Sequence, residues 1–387
     1  MPKAIPIGNG IALGTVHLDL NSVEFASKLN LEVQLKDTQV SNDWDFWVYP
    51  SDLPMDTPGD IVVAESIDEK LIQAIEDGHK ILLLPKGSLF KDKIPGRFVP
   101  VFWSPVHFSN QPGTMGILCE PSHPALAQFP TEYYSDWQWW DLNINSVVFK
   151  LDSMPKDIEP IIQIIDNFSR NHKLATIIEF RIGKARLILS SMDLTTDLEQ
   201  RPQARQLRYS LMQYMHSDAF SPRISVEMDE LRSLLKDATA MTHASVVSAN
   251  SVQSGYPAEY IIDNDPATIW STAWSPEIIK HPHEVIIDLS KEYEMRGFTY
   301  LPRQDNNPNG WIKDYEFYVS QDGKRWDNPV AKGTFEQNDS LKKVSFYDDQ
   351  SIYSEEKIKG RYIRLVTLGG FGDDPYTTIA ELDIITD

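Results

Sequence analysis

The hydrophobic period of this 387-residue chain changes twice, and those changes limit what it can fold into. Up to residue 50 the period is two. Residues 11–20 and 29–35 alternate apolar and polar side chains, as half-buried strands do, and 44–49 is a third apolar run, closed by Pro50. Three strands are a thin basis for a domain. Residues 1–50 are therefore expected to be a β-strand-rich segment, a partial sandwich or the edge of a domain whose other strands lie before Met1. From 51 to 220 short apolar strands alternate with helical patterns. Residues 60–64 and 80–85 read as buried strands. Between them Ser66-Ile-Asp-Glu69 reads as a capping box ahead of Leu71, Ile72 and Ile75, with a stop at Gly78. Strand, helix, strand at this spacing is a βαβ unit with a parallel pair. Further strands are predicted over 98–103, 146–151, 175–182 and 185–190, the last two joined by a Gly183-Lys184 turn. A helix is predicted over 201–216, with Leu207, Leu211, Tyr214 and Met215 on one face. This stretch is an α/β layered domain. Residues 221–240 read as a linker with one short helix over 226–236. From 241 to 387 the helical period disappears. Turn clusters at 263–266, 305–310, 321–323 and 369–374 separate short strands over 285–289, 297–301, 315–320, 343–347 and 362–366, the pattern of an all-β sandwich.

Charge removes several function classes. The chain has 36 basic and 56 acidic residues, a net charge of −20, and 24 of the acidic but only 14 of the basic residues fall in 241–387. Neither half offers the basic footprint that nucleic acid requires, and anionic lipid is disfavoured for the same reason. No apolar stretch approaches the ~18–20 residues that span a bilayer, so no membrane insertion is expected. The single cysteine, Cys119, rules out an intramolecular disulfide framework and a cysteine-cluster zinc site. Residues 1–15 hold one Lys and a run of Gly and Pro rather than a signal peptide, which leaves a cytosolic protein or a leader located elsewhere.

Motifs for chemistry are few. Cys119 sits in Leu118-Cys-Glu-Pro121, without the flanking glycines of a nucleophile elbow, and Trp103-Ser-Pro105 is no elbow either. No Gly-x-x-x-x-Gly-Lys loop and no His-Glu-x-x-His occur. Counting cannot exclude a pair of catalytic carboxylates, but the barrel that would present them takes about 250 residues of β/α repeats. No catalytic residue is assigned. The loop Ile262-Asp-Asn-Asp-Pro-Ala-Thr268 offers the hard oxygen donors that suit Ca²⁺, and equally the composition of an Asx turn. Tyr133-Tyr-Ser-Asp-Trp-Gln-Trp-Trp140 is the densest aromatic cluster. At strand spacing Trp137 and Trp139 share one face and Trp140 takes the other. Core packing, a surface for neighbouring domains and a sugar platform all remain open for it. His107 and His123 are expected to be structural.

Two resemblances add to this reading. On Asp263–Trp270, Asp288-Leu289, Val319-Ser-Gln-Asp-Gly-Lys-Arg-Trp326 and Arg361-Tyr-Ile-Arg-Leu365, residues 241–387 resemble a coagulation factor 5/8 type C (discoidin-like) domain, a jelly roll also classed as carbohydrate-binding module family 32. The resemblance implies a structural Ca²⁺ held by Asp263, Asp265, Thr268 and Glu381. It also implies a sugar site, of galactose type, in loops at one end of the sandwich. Arg303, Phe371, Trp274, His283, Asn309 and Trp311 are its candidates, with His281 beside them, and loop or core packing is the competing reading for each aromatic and histidine. The family's galactose-binding histidine–arginine–asparagine set has no unambiguous counterpart here. On Trp44-Asp-Phe-Trp-Val-Tyr-Pro50, Gly113-Thr-Met-Gly-Ile-Leu-Cys119, His123-Pro-Ala-Leu126, Phe129-Pro-Thr-Glu132, Trp137-Gln-Trp-Trp140 and Arg205-Gln-Leu207, residues 1–220 resemble the C-terminal region of bacterial glycoside hydrolase family 2 enzymes. There a class I amidotransferase-like α/β domain, here degenerate, follows the catalytic domains. Together they imply a non-catalytic, carbohydrate-binding accessory region of a β-galactosidase or β-glucuronidase-like enzyme of polysaccharide breakdown, periplasmic or extracellular in a bacterium. Its partners would be carbohydrate and other domains of that enzyme. The rival expectations are a stand-alone glycoside hydrolase and a protein–protein scaffold.

Overall fold

The computed structural model describes residues 7–12, 14–20, 23–97, 114–167, 170–347, 358–372 and 374–386. The chain forms two compact units: Met1–Glu65 with Lys70–Leu234, and Ser66–Glu69 with Leu235–Asp387.

The first unit opens with an antiparallel hairpin, β1 (Ser27–Gln34) and β2 (Ser41–Val48). The strand expected over 11–20 does not form among its described residues. Val16 and Leu18 are exposed there, so the alternation has no second layer to bury against. The hairpin is tied down by Lys28, whose Nζ reaches Glu132 at 2.7 Å and Asp45 at 3.0 Å. Next come β3 (Ile61–Ala64), α1 (Glu69–Glu76) and β4 (Lys80–Leu83), with β3 and β4 parallel as the βαβ pattern predicts. Gly78, at φ +77°, ends α1 in the left-handed conformation that glycine adopts without strain. The capping box fails, because the Ser66 hydroxyl turns instead to Asp68 Oδ2 (3.2 Å) and His243 Nε2 (3.3 Å).

The rest of this unit is β5 (Ile94–Pro95), β6 (Gly116–Cys119), α2 (Trp139–Ile144), β7 (Val147–Lys150), β8 (Pro160–Ile165), β9 (Leu174–Ile182), β10 (Ala185–Ser190), α3 (Pro202–His216) and α4 (Met228–Leu234). Its strands make one eight-stranded mixed sheet, in the order β3-β4-β10-β9-β7-β5, with β8 also on β9 and β6 on β8. Only β3-β4-β10 run parallel; every other pair is antiparallel. The parallel, doubly covered layering of an α/β domain is thus confined to one side of the sheet. The strand predicted over 98–103 lies outside the described residues. On α3 the predicted face is the buried one: Leu207, Leu211, Tyr214 and Met215 join a core with Leu82, Phe129, Trp139 and Ile188. Each such leucine stabilises the fold by about 1.5–3 kcal/mol.

The aromatic run departs from its expected strand spacing. Residues 137–138 turn into α2, so a 3.6-residue period replaces the two-residue one. Trp139 is completely buried, with Nε1 donating to Thr131 Oγ1 at 2.8 Å, while Trp137 and Trp140 are exposed.

The second unit comprises β11 (Ser245–Ala249), β12 (Trp270–Ser271), β13 (His283–Met295), β14 (Gly297–Leu301), β15 (Ile312–Ser320), β16 (Ala331–Thr334), β17 (Lys342–Ser345), β18 (Ile358–Gly370), β19 (Thr378–Ile379) and β20 (Glu381–Ile385). A five-stranded antiparallel sheet, β11-β13-β18-β15-β16, accompanies a three-stranded one, β17-β14-β20, and the short pair β12-β19. Residues from both larger sheets share one core, in which Phe298 of β14 stacks on Phe317 of β15 with centroids 4.2 Å apart. Trp270 is fully buried and donates Nε1–H to Ser251 O at 3.0 Å. Asp288 of β13 receives Arg361 of β18 through two 2.7 Å bonds, a bidentate clamp between neighbouring strands.

Candidate functional site

Register fixes where the loops of the sandwich emerge. His283 faces Thr367, Ile312 faces Gly370 and Leu301 faces Glu381. Loops 272–282, 302–311 and 371–377 therefore leave the sheets at one end. Beside them a cleft of about 650 Å³ is lined by Tyr256, Tyr260, Thr268, Arg303, Gln304 and Asp305, among others.

Arg303 extends from the residue pair after β14 and is largely covered. Its Nε meets Asp305 Oδ1 at 2.7 Å while Nη2 holds Asp305 Oδ2, and this guanidinium keeps the Asp305 carboxyl below the usual range. The loop continues as a ladder of Asx contacts: Asn307 N donates to Asp305 Oδ1 (3.3 Å) and Asn309 N to Asn307 Oδ1 (3.0 Å). Its far end is anchored by Gly310 N on Asp374 Oδ2 at 2.6 Å and by the Thr378 hydroxyl on Asn309 O at 3.1 Å. Gly310 has φ +85°, and a Cβ there would lie 2.6 Å from the Thr378 side chain, so only glycine fits. Asn309 and Trp311 flank that glycine. Asp374, which also accepts from Tyr376 N, brings in the loop that carries the half-buried Phe371. Trp311 Nε1 is buried with no hydrogen-bond partner among the described residues.

Trp274 is 41% exposed, and its ring centroid lies 5.2 Å from that of Tyr256 on the cleft wall. Its backbone is fixed by the buried Gln253, whose Oε1 accepts from Trp274 N (2.9 Å) and Ser275 N (3.1 Å). Tyr256 thus lines the cleft with a braced guanidinium–carboxylate pair, and Trp274 packs against Tyr256, a combination that offers C–H faces an aromatic ring and hydroxyls fixed donors and acceptors.

His283 does not belong to this surface, which corrects its candidacy. It is fully buried, with Nε2 2.9 Å from Ile279 O and Nδ1 2.8 Å from Thr377 Oγ1. A carbonyl can only accept, so Nε2 carries the proton and Nδ1 accepts from the threonine. Burial pushes its pKa below the ordinary histidine value. It is a brace beneath the loops, its ring tilted against that of His281 with centroids 4.4 Å apart, and His281 Nδ1 faces Thr367 O at 3.2 Å. Tyr256, Gln253, Asp305 and Asp374 were not anticipated. The only signal for Tyr256 is a bulky aromatic inside the Gly255-Tyr-Pro257 turn.

The loop proposed for a cation closes on itself as an Asx turn. Asp263 Oδ1 accepts from Asp265 N at 2.8 Å, its Oδ2 from the Thr268 hydroxyl at 2.8 Å, and Asp265 Oδ1 from Ala267 N at 3.1 Å. Among the described residues no three carboxylate, imidazole or thiol side chains converge as metal ligands. Glu381, however, is in an anomalous position. Its Oε1 is buried without a hydrogen-bond partner among the described residues, and burial, with the charges of Asp263 and Asp265, pushes its pKa to about 8. A buried carboxyl that accepts from the Asn264 backbone yet keeps one oxygen unpartnered, beside two acidic groups, fits a hard cation with oxygen ligands.

In the first unit Cys119 lies at the end of β6, and its thiol, pushed up to about 11 by burial, donates to Glu132 O at 3.3 Å. Such a thiol carries little of the thiolate that a nucleophile needs.

Comparison with known proteins agrees for the second unit. Residues 246–382 match the model of the F5/8 type C domain. Residues 62–236 and 1–50 match two models, each described as a domain of unknown function (DUF8487 and DUF8488). Galactose oxidase from Gibberella zeae is 34% identical over 167 residues, 42% of this chain and 23% of that protein. Sialidase from Micromonospora viridifaciens is 33% identical over 151 residues, 39% of this chain and 22% of that protein. The chain thus spans less than a quarter of the length of these curated relatives. Of the solved structures, CpGH89CBM32-5 from Clostridium perfringens, in complex with GalNAc-β-1,3-galactose, is 28% identical, covers 39% of this chain and 100% of its own, and has a TM-score of 0.33. No described helix is long and apolar enough to cross a membrane. Residues 246–382, in the second unit, form an F5/8 type C domain.

Proposed function

We propose that this chain binds a terminal galactose-type sugar through its second unit and acts as an accessory region of a secreted glycoside-degrading enzyme. The observation that carries this reading is the cleft that Tyr256 lines with the Arg303–Asp305 pair, the exposed Trp274 packing against Tyr256. Trp274 supplies the stacking face, Arg303 the donors and Asp305 the acceptor, with Asn309, Trp311 and Phe371 on the adjoining loops. A curated relative supplies the sugar class: a galactose oxidase. A structural Ca²⁺ at Asp263, Asp265, Thr268 and Glu381 belongs to the same proposal, supported by the orphaned Glu381 oxygen. Descent from a family 2 β-galactosidase or β-glucuronidase, with a degenerate amidotransferase-like first unit, is the finer form of this reading. It rests on the motifs quoted from residues 1–220. The inert setting of Cys119 supports the degenerate state of the first unit, since amidotransferase chemistry needs a thiolate.

Calorimetric titration with galactose, N-acetylgalactosamine and their β-1,3-linked disaccharide tests the sugar site. Binding is expected, and Trp274→Ala or Arg303→Ala should weaken it at least about tenfold, as truncation of an interface anchor does. Undiminished binding by both variants, or none by the unaltered protein, would overturn the assignment. Turnover of chromogenic galactosides or glucuronides by the purified chain would favour the hydrolase alternative.

A further inference from the structure

We propose that the cleft of the second unit takes a neutral oligosaccharide of at least two linked sugars, with Tyr260 and Gln304 holding the unit next to the terminal one. This rests on the sugar reading of that cleft and names the class of ligand that fills it. Size is the first reason. The cleft measures about 650 Å³, within the roughly 300–1,000 Å³ of pockets that bury most of a drug-sized ligand. A single pyranose is smaller than such a ligand and fills only part of the space. The rings are the second reason. Tyr256 and Tyr260 both line the cleft, four residues apart, so their Cα atoms are at most about 14 Å from one another. Each ring offers one face to one pyranose, and two rings in one cleft match two linked sugars. Tyr256, with Trp274 packed against it, belongs to the end proposed for the terminal sugar. Tyr260 is left for the next unit.

The fold leaves hydrogen-bonding groups unspent along this lining. Gln304 Nε2 donates to Pro302 O (2.7 Å) and Asp339 O (2.9 Å). Both partners are carbonyls that can only accept, so the amide nitrogen faces them and Oε1 is left as an acceptor. Arg303 gives Nε and Nη2 to Asp305, and its Nη1 has no partner among the described residues. The hydroxyls of Tyr256 and Tyr260 make no hydrogen bond among the described residues, and a phenol both donates and accepts. The backbone beneath them is fixed before any ligand arrives. Tyr260 stands in the 3₁₀ turn Ala258–Ile262, whose Ala258 and Ile261 are buried in the core of the sandwich. On the adjoining loop the Thr268 hydroxyl is tied to Asp263 Oδ2 (2.8 Å) and Asp265 O (3.0 Å). Binding therefore costs little backbone ordering.

Charge selects among oligosaccharides. Arg303 and Asp305 are the only charged side chains among the described residues that line the cleft, and they are paired with each other. A uronic or sialic acid would enter with no uncommitted cation to meet it, on a chain of net charge −20. A neutral sugar needs only the unspent donors and acceptors and the two rings.

Calorimetric titration of the full chain with galactose, and with galactosyl disaccharides linked β-1,3, β-1,4 and β-1,6 to a neutral sugar, tests the second subsite. The quantity read is the gain, the ratio of disaccharide to galactose affinity within one protein. At least one disaccharide should bind at least about fivefold more tightly than galactose. In Tyr260→Ala that gain should fall below about twofold, and Tyr260→Phe, which keeps the ring, should restore part of it. Replacing the second sugar by a uronic acid should also remove the gain. An unchanged melting temperature keeps folding out of the comparison. If galactose binds but no disaccharide shows a gain, or the gain survives Tyr260→Ala, the second subsite is wrong while the sugar reading of the cleft stands. If the uronic acid shows the same gain, the restriction to neutral sugars is wrong. If neither galactose nor any disaccharide binds, the subsite and the sugar reading fail together.

Discussion

Arg303 and His283 were both legible as polar residues beside loops, yet the structure gives them opposite roles, and the difference lies in their hydrogen-bonding capacity. Arg303 has five donors, and its bidentate bond to Asp305 leaves others for a ligand. His283 spends both nitrogens on Ile279 O and Thr377 Oγ1, so nothing remains to offer a sugar. Its effect should be on stability. Burial lowers its folded pKa, while in the unfolded chain it titrates near 6.5. The unfolded state therefore binds the extra proton first. Stability is complete above pH ~6.5 and falls as the pH drops below it, until the folded group protonates too. His283→Gln should cost about 1–3 kcal/mol at pH 7.5, the penalty for disturbing a buried polar group. It should lose less than the unaltered protein on going to pH 5. Chemical denaturation at the two pH values measures both. A parallel loss in the two proteins would mean that other groups govern acid sensitivity.

At the scale of elements, legibility followed the length and cleanliness of each period. Helix α3 was readable because Leu207, Leu211 and Met215 repeat at helical spacing over about two turns. The hairpin β9–β10 was readable from Gly183, which sits at φ +56° between two apolar runs. Residues 11–20 alternate as cleanly but form no strand among the described residues, because alternation reports a potential face and not a partner strand. Residues 137–140 misled for a related reason: four residues with three tryptophans fit a strand and the first turn of a helix equally well, and tertiary packing of Trp139 against Phe129 decides. The cleft was half legible. Arg303 and Trp274 stand in recognisable turns, whereas Gln253 acts through a contact across 21 residues that no local pattern encodes. The loop at 262–268 and β20 make a testable pair of elements. Ca²⁺ should raise the melting temperature, and chelation should reverse the gain. Glu381→Gln should leave the metal-free protein at least as stable, since a neutral amide relieves a buried carboxyl beside Asp263 and Asp265, but should abolish the Ca²⁺ effect. Scanning fluorimetry with and without the ion decides. A Ca²⁺-dependent shift that survives Glu381→Gln would remove that residue from the ligand set.

For the whole molecule, the excess of 56 acidic over 36 basic residues sets the class of polymer that it can approach. At ~0.1 M salt, exposed charges act over about 10 Å, far enough to oppose an anionic chain at either unit. A neutral sugar is indifferent to that field, because stacking on Trp274 and hydrogen bonding to Arg303 exchange no net charge with solvent. The two contributions separate by ionic strength. Affinity for neutral galactosides should change less than about twofold between roughly 0.05 and 0.5 M NaCl, where screening removes most long-range repulsion. Any affinity for an acidic polymer such as polygalacturonate should rise over the same range. Titration calorimetry across the salt series measures both slopes. An affinity for the acidic polymer that falls with salt would require a local basic surface able to outweigh the net charge, and would reverse the choice of a neutral ligand.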